Sequence, residues 1–104
     1  MKLLSQRRVT IPKELAKAME DLPENRDLMV FFDGGKQSIT FSSKSKYDDS
    51  AVFIGKVHVD DKKNRFILSK NLYNTIHMLL GTENYEKLYL CINHRKELCI
   101  KKAP

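Results

Sequence analysis

The chain has 104 residues, which is enough for one compact domain with a modest core, or for two closely packed half-domains. Its 41% hydrophobic and 31% charged residues are typical of a globular protein, and no apolar run approaches the roughly 18 residues of a membrane span. The formal net charge of +6 favours a polyanionic partner. The N-terminus lacks the apolar stretch of a signal peptide, so we expect a cytoplasmic protein with no membrane partner.

The first part of the chain predicts a strand, a short helix and a hairpin. The strand residues Val9 to Ile11 are followed by Pro12, which suits the first turn of a helix. Apolar runs at 28–32 and 38–41 then flank the turn 33–36, where an Asp-Gly-Gly sequence is expected to supply the positive φ of a tight hairpin. The polar segment 42–50 is rich in serine and lysine and is predicted to be a linker.

After the linker, residues 51–59 predict an opening strand, whose counterpart in the first part would lie at and before Met1. A short strand at 65–68, an amphipathic helix from Leu72 to Leu80 and a second hairpin at 88–100 follow. Asn93 is the residue of the second turn best suited to a left-handed conformation. Alternation along 88–92 puts Leu88, Leu90 and Ile92 on one face, which we expect to be the core face.

These two series of elements form an internal repeat. Residues 8–15 align with 65–72 at a constant separation of 57 positions, and the hairpins align at a separation of 60. We therefore predict a mainly β fold with short helices, built from two tandem βαββ-type repeats, 1–41 and 51–104, which are joined by the linker 42–50. The strands are apolar on both faces, which favours a closed or interleaved sheet.

Positive charge is concentrated in three segments of this repeat. Residues 1–19 carry a net charge of +4, residues 51–70 carry +3 and residues 87–104 carry +4, while the rest of the chain is net acidic. A basic surface of this kind attracts nucleic acid, although a solvated charged surface without a partner gives the same counts.

Neither catalysis nor a cofactor is indicated. His58, His77 and His94 are far apart in the sequence, and no phosphate-binding loop or metalloprotease helix is present. His77 is expected to be a partly exposed helix residue. Cys91 and Cys99 are expected to be reduced, buried thiols in a sheet, with no metal bound.

The stretch Ser5 to Leu15, with its Arg8-Val9-Thr10-Ile11-Pro12 centre, resembles the signature of the AbrB/SpoVT/MazE group of bacterial DNA-binding proteins. Residues 53–68, which contain Asp60-Asp61-Lys62-Lys63-Asn64-Arg65, are similar to the MraZ version, in which two copies occur in one chain. The sequence departs from the family at the glycine before the arginine, which is Arg7 in the first copy and Asn64 in the second, and at the second proline, which is Ser69. Asn64 can adopt a left-handed conformation and Ser69 can cap a helix, whereas Arg7 predicts a different first turn.

The resemblance implies one swapped-hairpin barrel that the two repeats of the chain form together. It also implies a transcriptional regulator that binds double-stranded DNA, is associated with the nucleoid and forms homodimers or higher homo-oligomers. Two alternatives stay open: an antitoxin that also binds a toxin, and a protein-interaction module of the same fold. The implied DNA-binding residues are Arg7, Arg8, Lys13, Lys17, Lys62, Lys63, Asn64, Arg65 and Lys70.

Overall fold

The computed structural model describes residues 4–5, 7–18, 26–43, 51–60, 64–82 and 87–102. These residues form eight strands and two helices. In chain order they are β1 (Leu4–Ser5), β2 (Arg8–Thr10), α1 (Lys13–Ala18), β3 (Asp27–Asp33), β4 (Ser38–Ser42), β5 (Ala51–His58), β6 (Arg65–Ile67), α2 (Lys70–Leu80), β7 (Leu88–Ile92) and β8 (Leu98–Lys102).

The strands form two open sheets. A three-stranded sheet has the order β1-β2-β6, and a five-stranded sheet has the order β5-β3-β4-β8-β7. The prediction of a mainly β fold with short helices is confirmed, but the described strands do not close into a barrel. The reason lies at the two edges of the larger sheet, because no described strand pairs with the outer edge of β5 or of β7.

The ladder between β2 and β6 has the symmetry of a two-fold axis. Arg8 pairs with Ile67, Val9 with Phe66 and Thr10 with Arg65. Adding 57 to the residue numbers of β2 gives those of β6, so the pair of Arg8 with Ile67 is equivalent to the pair of Arg65 with Thr10. The two-fold axis therefore passes between Val9 and Phe66. Two flanking hydrogen bonds obey the same relation: Ile11 N–H donates to the Asn64 carbonyl at 2.9 Å, and Leu68 N–H donates to the Arg7 carbonyl at 2.7 Å.

The ladder between β4 and β8 repeats this symmetry with the second separation. Ser38 pairs with Lys101 and Phe41 pairs with Leu98. A shift of 60 positions converts the first pair into the second. The two repeats therefore meet through two symmetric antiparallel ladders, one in each sheet.

A third link crosses between the repeats. β5, the predicted opening strand of the second repeat, pairs along its length with β3 of the first repeat. The register shifts between Val30 and Phe31, and Gly55 lies opposite Val30. A Cβ on Gly55 would come 3.3 Å from Leu72 Cδ1, so a glycine lets this strand approach α2 closely.

The core lies between the two sheets and α2. It includes Val9, Val30, Phe41, Phe66, Ile76 and Ile100, all at most 2% exposed. Leu88 is buried, and Leu90 and Ile92 pack against the core, so the predicted face of β7 is confirmed.

Both ends of α2 are capped locally. Ser69 Oγ accepts a hydrogen bond from Leu72 N–H at 3.2 Å, as predicted for a residue that replaces the proline of the first copy. Gly81 ends the helix in the left-handed conformation with φ 71°. These caps explain why the helix begins and ends where it does.

The two hairpin turns differ from the sequence prediction. Gln37 (φ 50°), rather than Gly34 or Gly35, is left-handed in the first turn, and Lys36 N–H donates to Asp33 Oδ1 at 3.1 Å. In the second turn the prediction for Asn93 was wrong, because Lys96 has the positive φ of 61°. The Asn93 side chain instead accepts hydrogen bonds from the backbone N–H groups of residues 95 and 97. The second turn thus combines an Asx-type side-chain cap at Asn93 with a left-handed residue at Lys96.

Most of the predicted linker, residues 44–50, lies outside the described residues, and Ser42 belongs to β4. No helix in the described part of the chain is both long and apolar enough to cross a bilayer.

Candidate nucleic-acid interface

The outer face of the three-stranded sheet carries the two arginines of the repeated motif. Val9 and Phe66 point into the core, so their strand neighbours point outward by the two-residue period of a strand. The outer face is formed by the residues of β2 and β6 that point away from the core, namely Arg8, Thr10, Arg65 and Ile67.

Arg8 and Arg65 are equivalent about the two-fold axis. They occupy diagonal positions on neighbouring strands, for which Cα atoms are typically about 7–8 Å apart. Arg8 is exposed and Arg65 is half-buried. Within the described ranges neither side chain has an acidic partner within ion-pair distance. The face therefore presents two positive charges that are not neutralised by described carboxylates.

Lysines extend this symmetry beyond the strands. Lys13 is the first residue of α1 and Lys70 is the first residue of α2, and both are exposed. They are 57 positions apart, so the same two-fold relation applies to them. Because β2 and β6 are antiparallel, the two lysines follow opposite ends of the ladder.

The symmetry fails at two of the expected binding positions. Lys17 is exposed on α1, but its counterpart on α2 is Asn74. Arg7 is exposed in a turn, whereas its counterpart Asn64 is half-buried and left-handed with φ 47°. The prediction that Asn64 takes this conformation is confirmed, and Arg7 does not share it. Lys62 and Lys63 lie outside the described residues.

Sequence reasoning missed Arg26, which braces the turn before β6. Its Nε donates to the Val59 carbonyl, and its Nη2 donates to the Asp60 carbonyl and to Asn64 Oδ1, each at 3.0 Å. Arg26 has a positive φ of 56°, and its own carbonyl accepts a hydrogen bond from Val59 N–H at 2.8 Å. The Asn64 side chain is thus a structural acceptor as well as an expected DNA contact. A single arginine outside any motif gave no sequence signal for this role.

His58 and His77 each lie within hydrogen-bond distance of a described oxygen atom. His58 Nδ1 lies 2.9 Å from Asp27 Oδ1 at one end of the β3–β5 ladder. His77 is 8% exposed, which corrects the expectation of a partly exposed residue, and its Nδ1 lies 2.8 Å from the Thr82 carbonyl, which only accepts. Among the described residues no group of three or more His, Cys, Asp or Glu side chains is placed to hold a metal ion.

The two cysteines are free thiols on directly opposed positions of β7 and β8. Cys99 is buried as expected, whereas Cys91 is only half-buried, which corrects the expectation for that residue. Thr40 Oγ1 lies 3.5 Å from the Cys99 sulfur. Burial raises the pKa of the Cys99 thiol, and the hydrogen bond with Thr40 acts in the opposite direction. Such a thiol is a poor nucleophile at neutral pH.

Comparison with known proteins gives no family. No protein-family model, curated protein or solved structure matches the chain. Its function is therefore inferred from the residues of the outer face and their symmetry.

Proposed function

We propose that this protein binds double-stranded DNA through the outer face and acts as a transcriptional regulator of the AbrB/MraZ type. The observation that carries the proposal is the two-fold relation between Arg8 and Arg65 on one exposed sheet face. A DNA duplex has two-fold axes perpendicular to its length. A pseudo-symmetric ladder can align its own axis with one of them and present equivalent arginines to both halves of a site.

The arginines of the outer face suit a groove of B-DNA. The major groove is about 12 Å wide and is read by strands as well as by helices. Arginine suits base recognition there, because its planar fork donates two hydrogen bonds to the O6 and N7 atoms of guanine. With Cα atoms about 7–8 Å apart and base pairs about 3.4 Å apart, Arg8 and Arg65 address bases a few pairs from each other.

The lysines would add affinity without sequence information. Lys13 and Lys70 flank the ladder at its two ends, where the phosphate backbones rise on either side of the groove. Lys17 adds a charge on the first repeat alone. Contacts of lysine with phosphate supply attraction and orientation, while the arginines supply specificity. Arg7, Lys62 and Lys63 remain proposed contacts from the motif.

Three links between the repeats support a swapped-hairpin arrangement for the fold. The β2–β6 and β4–β8 ladders each join equivalent strands of the two repeats, and β5 of the second repeat pairs with β3 of the first. Each repeat thus completes the sheets of the other.

A protein-interaction role is the second candidate, and one observation favours it. Val52 and Phe53 on the edge strand β5 are 60% and 54% exposed. No described strand pairs with the outer edge of β5, and exposed apolar side chains on such an edge are typical of a surface that takes another strand. An antitoxin would combine this with the DNA-binding role.

The test is an electrophoretic shift with random-sequence duplex at low salt, followed by selection of a preferred site. We expect binding at low salt, and we expect Arg8→Ala and Arg65→Ala each to weaken binding to the selected site by about 1–3 kcal/mol. Their unfolding free energies should change by no more than about 0.5 kcal/mol, since neither side chain belongs to the buried core.

Arg95→Ala is the matched control, because it removes the same charge from the β7–β8 turn. Equal losses for Arg95→Ala and for the two ladder arginines would show attraction by net charge alone. Absence of any shift at low salt would rule the proposal out.

A further inference from the structure

Ile67 is an apolar side chain at the centre of the proposed DNA-binding surface. It is 60% exposed and pairs directly with Arg8 across the ladder. Its neighbours in sequence, Phe66 and Leu68, are 2% and 1% exposed and supply the core contacts of this segment. Packing therefore does not require an isoleucine at position 67.

The two-fold relation gives a comparison within the same molecule. Thr10 is the counterpart of Ile67 in the first repeat, and it pairs directly with Arg65. Threonine and isoleucine are both β-branched and suit strands about equally, so strand propensity does not explain the difference. The two halves of the outer face share an arginine and differ in the side chain beside it.

We infer that Ile67 contacts the 5-methyl group of a thymine in one half of the binding site, an inference that depends on the proposed DNA binding. In the major groove thymine is marked by this methyl group, which apolar side chains recognise by contact. Burying Ile67 against it removes from water the one apolar side chain of the outer face. The preferred site is therefore a pseudo-palindrome, with equivalent guanine contacts and a methyl contact that is stronger in the half facing Ile67.

The inference can be tested with deoxyuridine, which differs from thymidine only by the missing methyl group. Each thymine of the selected site is replaced in turn. We expect one position in one half-site to lose about four-fold in affinity, which corresponds to about 0.8 kcal/mol for one buried carbon group. Thymines in the other half should show a smaller loss or none.

Two variants make the assignment specific. Ile67→Ser should abolish the sensitivity to deoxyuridine at that position, and its affinity for the selected site should equal that of the wild-type protein for the deoxyuridine-substituted site. Thr10→Ile should create a second sensitive thymine in the opposite half-site. Neither residue belongs to the buried core, and thermal melting of each variant checks that the fold is kept.

The outcomes separate this inference from the DNA-binding proposal. The role of Ile67 is overturned if binding is sequence-selective but no position is sensitive to the methyl group, or if the sensitivity survives in Ile67→Ser. It is also overturned if the protein binds DNA without any preferred sequence. All three outcomes leave the proposal of DNA binding intact. Failure of the wild-type protein to bind any duplex at low salt overturns both.

Discussion

Val9 and Phe66 face each other across the β2–β6 ladder, on the two-fold axis that relates the repeats, and both are completely or almost completely buried. The Phe66 ring also lies 5.0 Å from the Phe41 ring, centroid to centroid, which joins the three-stranded sheet to the five-stranded sheet. One side chain therefore links the two repeats and the two sheets.

Phe66→Ala should lower the free energy of unfolding by about 3–5 kcal/mol, because it removes a buried ring and leaves a cavity at the contact between the sheets. Urea unfolding followed by circular dichroism measures the change. Ile67→Ala is the control, since its side chain is mostly exposed and its loss should cost no more than about 0.5 kcal/mol. Similar costs for the two variants would contradict the placement of the core.

Arg26 is predicted to stabilise the turn before β6 without contacting DNA. Replacing it by alanine removes hydrogen bonds to two carbonyl oxygens and to Asn64 Oδ1, so we expect a loss of about 1–3 kcal/mol in unfolding free energy. Arg26→Gly removes the same bonds but tolerates the positive φ, and it should be about 1 kcal/mol more stable than Arg26→Ala. Chemical denaturation of the pair tests this ordering, and a less stable glycine variant would refute it.

The repeat was visible in the sequence because both copies need the same residues to make a strand followed by a helix. Its two separations, 57 and 60 positions, reappear as the registers of the two symmetric ladders. The pairing of β5 with β3, and the position of β7 at the edge of the described sheet, could not be predicted, because alternation gives the faces of a strand and not its neighbour.

For the candidate site, the motif identified Arg8 and Arg65, but their common face became clear only from the pairing of Val9 with Phe66. Arg26 was missed because its role depends on carbonyl groups more than 30 positions away. The turn residues were misjudged for a similar reason. Asp33 and Asn93 satisfy backbone N–H groups with their side chains, so the positive φ could move to other residues.

Stability should fall at alkaline pH through Cys99. Its pKa is raised by burial in the folded state, so the folded protein holds the thiol proton more tightly than the unfolded chain. The contribution of this thiol to the free energy of unfolding is fully present below the ordinary cysteine pKa of about 8.5. It is lost as the pH rises from that value through the raised pKa of the folded state.

The measurement compares unfolding free energies of the protein with and without Cys99→Ala, both in a Cys91→Ala background so that one thiol titrates. The difference should be constant from pH 6 to about 8 and should then decrease by at most about 1.4 kcal/mol per pH unit. Other titrating groups cancel in the comparison. A difference that stays flat to pH 10 would contradict the buried environment of this thiol.

The salt dependence of DNA binding should separate the lysines from the arginines. If Lys13 and Lys70 each neutralise one phosphate, the double variant Lys13→Ala/Lys70→Ala should reduce the slope of log binding constant against log salt concentration by about 1.8. It should weaken binding to random and selected duplexes by the same factor, because phosphate contacts carry no sequence information.

Lys36→Ala is the control for the lysine variants. Lys36 is exposed in the β3–β4 turn of the other sheet, and its replacement should leave the salt slope unchanged. Arg8→Ala should instead reduce the preference for the selected site over random duplex. The arrangement would be contradicted if the double lysine variant kept the wild-type salt slope but lost the preference for the selected site over random duplex. That result would mean that the lysines contact bases and not phosphates.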